Sequence, residues 1–151
     1  WLLKFYDGRP IPRAENVIDS LLATQNLLGG YGTDWHSTAC EDIDSIDPLV
    51  RMSRQTDYRR EDIQVSLRRA LPALLQNLNS DGGWVFKRHN ALQVVHPEMF
   101  SGMNESNMFY TWFRILGLAY CLIGLDEVPQ AMQYDWQFGK APGHQFLYGA
   151  Y

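Results

Sequence analysis

Four carboxylates, one histidine and one cysteine crowd into residues 36–47: His36, Cys40, Glu41, Asp42, Asp44 and Asp47. Carboxylates set this close raise one another's pKa, so one can stay protonated and pass its proton to an alkene or epoxide. The same cluster offers hard oxygen ligands that suit Mg²⁺ held against a diphosphate. A third reading involves no chemistry: acids in the first turn of a helix complement its dipole and cap its free amides. His36 and Cys40 stand four residues apart and, with Asp42 or Asp44, could form a mixed zinc site. The segment has neither the CxxC nor the HExxH spacing, and the alternative is a buried thiol beside a hydrogen-bonded imidazole, with Trp35 packed nearby. The choice of metal therefore stays open between Mg²⁺, Zn²⁺ and none. His89, His96 and His144 lie in irregular stretches without ligand spacing and are expected to be solvated or locally hydrogen-bonded.

A second group with chemical potential is apolar. Residues 107–125 carry Met108, Phe109, Trp112, Phe113, Ile115, Leu116, Leu118 and Leu122, apolar nearly all round, which predicts a buried helix. Phe109, Tyr110, Trp112 and Phe113 are the ring types that line an apolar cavity and shield a carbocation by cation–π attraction; core packing would use the same residues. Arg114 breaks the run, and a charge there needs a carboxylate partner such as Asp42 or Asp44. The catalytic candidates are thus Asp42, Asp44, Asp47, Glu41 and His36, and the substrate-binding candidates Trp35, Trp112, Arg114 and Phe109.

These residues must be positioned by helices. Residues 1–13 read as an extended lead-in anchored by Trp1, Phe5 and Tyr6. From Ala14, the residues Val17, Ile18, Leu21, Leu22 and Leu28 fall on one helical face, which Gly29-Gly30 ends. Ile46, Leu49, Val50 and Met52 predict a helix whose first turn is residues 44–48, with Pro48 tolerated at its start. Residues 60–78 form the longest amphipathic pattern of the first half, with Pro72 a kink site. Residues 85–106 read as irregular with one short turn near 91–95. The tail reads as a packed loop with Trp136, Phe138, Pro142, Gly143 and His144, and at most one helix near 128–134.

Composition bounds the rest. The 151 residues are 46% apolar and 13% aromatic with a net charge of −4, enough for one domain with a core and too apolar for disorder. The mild acidity argues against nucleic acid or an anionic membrane as main partner and favours a small molecule or a protein. The longest apolar run, 115–125, is short of the roughly 20 residues of a membrane span. Two cysteines without paired spacing point to a reducing, cytoplasmic setting. Trp1-Leu2-Leu3-Lys4 does not read as a secretion leader, and a start other than methionine is expected of a fragment or trimmed chain.

An internal repeat underlies the pattern. Gln25-Asn26-Leu27-Leu28-Gly29-Gly30-Tyr31 returns as Gln76-Asn77-Leu78-Asn79-Ser80-Asp81-Gly82-Gly83-Trp84, with the glutamines 51 positions apart. Such a period in an all-α chain predicts stacked helical hairpins. The second copy resembles the glutamine–tryptophan repeat of squalene–hopene and oxidosqualene cyclases, a repeat type found also in protein prenyltransferase β subunits; the resemblance covers roughly residues 14–125. It implies an α/α toroid in which an outer helix leads through a Gly-Gly-aromatic turn into an inner helix. It also implies that residues 41–47 open an inner helix toward the central cavity. The acid motif of squalene–hopene cyclases reads Asp-x-Asp-Asp-Thr-Ala; here Asp42-Ile43-Asp44 supplies Asp-x-Asp, Ser45-Ile46 comes next, and the third aspartate is Asp47. Protein prenyltransferases hold zinc with Asp, Cys and His, in an order and spacing that differ from His36, Cys40 and Asp42.

The expected fold is all-α, a single domain of helical hairpins in an α/α-toroid-like, incomplete or open barrel, with repeats at about 14–55 and 60–125 and a tail at 126–151. A closed toroid takes about five to seven hairpins and this length holds about three, which implies a part-barrel, a fragment, or a homo-oligomer if the chain is complete. The functional expectation is a cyclase- or prenyltransferase-like enzyme or fragment handling an apolar isoprenoid-type ligand. The alternatives are a non-catalytic helical-repeat binding module and a carbohydrate-processing toroid.

Overall fold

Helix α1 (Ala14–Ala23) turns Ile18 fully inward, and it stops earlier than the leucine pattern suggests. Thr24 caps it, donating both its amide (3.1 Å) and its hydroxyl (2.7 Å) to the carbonyl of Leu21. Helix α2 (Ala39–Met52) begins five residues before the expected start at Asp44. Its start is a capping box: Thr38 Oγ1 accepts from the Glu41 amide at 3.1 Å, and Glu41 Oε2 accepts from the Thr38 amide at 2.8 Å. Pro48 therefore lies inside α2 rather than in its first turn. Helices α3 (Arg60–Leu75) and α4 (Met108–Gly124) complete the helical set, α4 capped by Asn107, whose side chain accepts from the Phe109 amide at 2.9 Å. Where a loop was expected, β1 (Leu92–Gln93) and β2 (Phe100–Ser101) pair antiparallel, Leu92 opposite Ser101 and Gln93 opposite Phe100.

The computed structural model describes residues 10–93, 98 and 100–126. The lead-in anchors Trp1, Phe5 and Tyr6, the histidines His96 and His144, the helix near 128–134, and Trp136, Phe138, Pro142 and Gly143 lie outside the described residues. Within them the protein is mostly helical, and no helix is long and apolar enough to cross a membrane.

Helices α2 and α4 pack against each other most extensively, with α3 beside α4 and α1 beside both α2 and α3. Ile18, Ile46, Leu49, Met52, Ile63, Leu67 and Leu74 are buried where the four helices meet, closed by Tyr31 and Cys121. Burying a large aliphatic side chain contributes about 1.5–3 kcal/mol, so this cluster is the main source of cohesion. Helix α4 departs from the expectation of burial all round. Tyr110, Arg114, Gly117, Tyr120 and Cys121 face the core, whereas Met108, Phe109 and Trp112 are 86%, 49% and 53% exposed.

Two Gly-Gly turns join the helices with the same bonding. In the first, Asn26 N–H donates to Gly30 (2.8 Å), Gly29 N–H to Asn26 (3.1 Å) and Gly32 N–H to Thr24 (2.9 Å). In the second, Asn79 N–H donates to Gly83 (2.8 Å), Gly82 N–H to Asn79 (3.0 Å) and Val85 N–H to Asn77 (3.1 Å). Gln25 bridges Tyr31 as Leu78 bridges Trp84, so matching turn residues stand 53 positions apart, as Tyr31 and Trp84 do. The glutamines, 51 apart, do not occupy matching positions. Gln25 Nε2 ties its turn to α3 through the Ser66 carbonyl at 2.8 Å, while Gln76 is the residue that ends α3. An arginine clamps each turn: Arg69 donates to the Asn26 carbonyl at 2.9 Å, and Arg88 to the Leu78 carbonyl at 2.8 Å.

Candidate functional site

The acidic stretch is pinned by the capping box, which sends Glu41, Asp42, Asp44 and Asp47 in different directions around α2. Asp42 points into the junction of α2, α4 and the first Gly-Gly turn, with its side chain 1% exposed. Its Oδ1 accepts from the Tyr31 amide at 2.9 Å, and its Oδ2 accepts from Ser37 Oγ at 2.8 Å and from Arg114 Nη1. Arg114 is fully buried. Its Nη2 donates to the carbonyls of Ser37 (2.9 Å) and Phe86 (2.8 Å), and its Nε has no hydrogen-bond partner among the described residues. Burial pushes the Asp42 carboxyl up against the pull of Arg114, and burial likewise pushes Arg114 down. The charge pattern of the sequence required a carboxylate for Arg114, and Asp42 is that carboxylate.

Asp47 has a second buried arrangement of the same kind. Arg51, one helical turn later, donates from Nε to Asp47 Oδ1 at 2.5 Å and from Nη2 to Tyr120 Oη at 2.8 Å. The Arg51 guanidinium also lies 5.5 Å from the centroid of the Tyr120 ring. Glu41 is committed to the capping box. Asp44 alone among the four acids is exposed and makes no hydrogen bond among the described residues; partial desolvation pushes its carboxyl up. Cys40, half-buried one turn before Asp44, has its thiol pushed up by burial and then by the Asp44 charge.

The upward shift sets the sign of the Asp44 effect, and the exposure of the carboxyl keeps it small. A carboxyl whose folded pKa exceeds its unfolded value binds its proton more tightly in the native state. Its contribution to stability is therefore lost as pH rises through the folded pKa. Asp44→Asn is expected to stabilise the protein at neutral pH by at most about 1 kcal/mol and not below the unfolded carboxyl pKa. Urea midpoints of both proteins across the acid range check this; a loss of stability at neutral pH contradicts it.

The aromatic candidates gather at the start of α4. Phe109 and Phe113 have ring centroids 4.6 Å apart, Trp112 and Phe113 5.1 Å, and Phe109 and Tyr110 5.4 Å; Tyr110 continues inward to Phe86 at 4.6 Å. Trp35 is 68% exposed and stands apart, on a shallow groove of about 290 Å³ formed with Thr24, Asn26, Thr33 and Asp34. A polar pocket of about 290 Å³ lies where α2 and α4 end and α3 begins, among Ser53, Arg54, Thr56, Arg60, Gln64 and Gly124.

His36 meets His89 rather than Cys40 or the acids, with ring centroids 5.1 Å apart. Among the described residues no three His, Cys, Asp or Glu side chains gather as metal ligands, so the mixed His36, Cys40 and aspartate set is not assembled. Sequence reasoning passed over Ser37 and Phe86 and read Tyr31 only as a turn aromatic; their main-chain or hydroxyl groups complete the Asp42 and Arg114 pair. It also passed over Arg51, although its spacing of four from Asp47 was a readable signal. Comparison with known protein families, with curated proteins and with solved structures finds no match.

Proposed function

We propose that this chain is a segment of helical-hairpin repeats of the α/α-toroid type, akin to terpenoid cyclases and protein prenyltransferase β subunits. In this reading it binds an apolar, isoprenoid-type ligand without using its acids as catalysts. The repeat reading is supported by the matched Gly-Gly turns and by the bond that ties each turn to the helix after it. The Tyr31 amide donates to Asp42 of α2, and the Trp84 amide to Thr111 Oγ1 of α4, both at 2.9 Å. An aromatic turn residue is thus joined to the second helix of its hairpin in the same way in each copy. Helices α1 and α3 are then the outer members, α2 and α4 the inner ones.

The observation that carries the binding reading is the state of Asp42. Both its oxygens are taken by Tyr31, Ser37 and Arg114, and its side chain is buried. A proton donor or a metal ligand needs a lone pair or a proton facing the substrate. The exposed rings of Phe109 and Trp112 with Met108 are the complementary feature, an apolar surface at the mouth of an inner helix. Cys40 and Cys121 are free thiols, in keeping with a reducing, cytoplasmic setting. A small-molecule ligand, and a homo-oligomer if the chain is complete, belong to the same reading.

Titration with farnesol, followed by tryptophan fluorescence and calorimetry, tests it. Trp112→Ala and Phe109→Ala are each expected to weaken binding at least tenfold, about 1.4 kcal/mol, while Asp44→Asn leaves it unchanged. Absence of saturable binding, or equal binding by the ring variants, overturns the reading. Asp44 favours a second reading, since among the described residues it is the one acid with its carboxyl both exposed and shifted up. As a general acid it would protonate an alkene or epoxide, and incubation with squalene or its epoxide would give a cyclised product that Asp44→Asn abolishes.

A further inference from the structure

Two loops that the chain separates by more than fifty residues run side by side next to the Asp42 and Arg114 pair. Asp34 of one forms an ion pair with Lys87 of the other, and two residues further along each loop His36 faces His89. The contact joins residues at the same spacing as the turn register, 53 positions, in both cases. We propose that His36 and His89 form a two-histidine site for a late divalent transition-metal ion, Zn²⁺ or its neighbours Ni²⁺ and Cu²⁺, with water in the remaining positions.

The separation of the rings is the first support. Zinc–nitrogen bonds of about 2.0–2.1 Å at a tetrahedral ion place the centroids of two bound imidazoles about 5 Å apart. The observed separation is 5.1 Å, with the ring planes at 65°. Two imidazoles on a shared ion and two imidazoles in edge contact have their centroids at this same separation.

The second support is the backbone. His89 sits at φ 64°, in the left-handed region that a non-glycine residue enters at a cost of about 1–2 kcal/mol. Its amide donates to Asn104 Oδ1 at 2.8 Å, which holds it in that conformation. On the other side, Ser37 is buried and anchored to Asp42, and Thr38 is the cap of α2, so the chain just after His36 is fixed. Both imidazoles are therefore carried on backbone whose position is set from outside the pair, as a chelating pair requires. Asp34 and Lys87 neutralise each other, and Arg88 beside His89 is turned to neutral acceptors on Gln76, Leu78 and Asn79, so attraction to the ion rests on imidazole donation, which suits zinc, nickel and copper over magnesium or calcium.

The site uses neither the aromatic face of α4 nor any of the acids 41–47 as a ligand, so it stands or falls independently of the ligand reading. Zn²⁺ titration by calorimetry and Cu²⁺ electron paramagnetic resonance on the full chain test it. One Zn²⁺ per chain and a Cu²⁺ signal split by two nitrogens are expected. His36→Gln and His89→Gln should each weaken Zn²⁺ at least tenfold and leave one nitrogen on Cu²⁺. Both positions lie in loops, and circular dichroism verifies that the variants remain folded. His96→Gln and His144→Gln should leave both readouts unchanged. Undiminished binding in the His36→Gln/His89→Gln double variant, or a wild type that shows no two-nitrogen signal, overturns the proposal.

Discussion

Arg114→Met is expected to remove about 3–5 kcal/mol of folding stability, visible as a large fall in the urea midpoint. The substitution conserves apolar volume, so the loss comes from the groups left behind. Asp42 keeps a carboxyl that is 1% exposed and has only the Tyr31 amide and the Ser37 hydroxyl to satisfy it. The carbonyls of Ser37 and Phe86 lose the Nη2 donor at the same time. Without the guanidinium, burial is opposed only by the Tyr31 and Ser37 hydrogen bonds and raises the Asp42 pKa further above its unfolded value. A carboxyl shifted up stabilises the native state below the unfolded pKa and loses that contribution as pH rises through the folded one. The Arg114→Met protein should therefore gain stability on mild acidification relative to wild type. Adding Asp42→Asn to Arg114→Met should recover most of the loss at neutral pH, because an amide can still accept from Tyr31 and carries no charge. A single-variant loss below about 1 kcal/mol would show that the pair behaves as a surface ion pair and that the buried geometry does not hold in solution.

The helices were legible because their apolar residues recur at helical spacing, and α3 and α4 begin at or within one residue of where the pattern places them. The start of α2 was misplaced because Pro48 drew attention to the helix start it so often marks. Thr38 and Glu41, the capping-box signature at the true start, outweighed it by satisfying two amides directly. The pairing of Arg114 with an acid was legible for an elementary reason: a guanidinium in the middle of an apolar helix has nowhere else to go. Which acid it would choose was not, because that depends on the rotation of α2, and the capping box sets that rotation. The exposure of Phe109 and Trp112 was also hidden. Hydrophobicity all round a helix says that burial is favourable and leaves open what is present to bury it. His36 and His89 had no ligand spacing because their meeting is a product of two loops running together, a contact that local pattern cannot carry.

Gly29→Ala and Gly82→Ala are expected to differ by about 2 kcal/mol, although both glycines hold the same place in the two turns. Gly29 has φ 96° and Gly82 has φ 83°, so an added Cβ meets the left-handed penalty of about 1–2 kcal/mol in each case. Surroundings separate them. A Cβ on Gly29 would stand 2.2 Å from the Arg69 carbonyl oxygen and 2.9 Å from its carbon, whereas a Cβ on Gly82 meets nothing within 4 Å. The Arg69 carbonyl belongs to the backbone of α3 and cannot rotate away, so relief requires the turn to lift off the helix. Lifting it would break the bonds that seat it, from Gln25 to the Ser66 carbonyl and from Arg69 to the Asn26 carbonyl. The total for Gly29→Ala is then about 3 kcal/mol, against about 1 kcal/mol for Gly82→Ala, measured as paired urea midpoints. The comparison also tests the register of the turns. Equal losses would mean that the first turn is not seated on α3, removing one of the contacts that join α1 and α2 to α3 and α4. A larger loss at Gly29 places that contact among the supports of the fold and leaves the second turn as the open end of the same design.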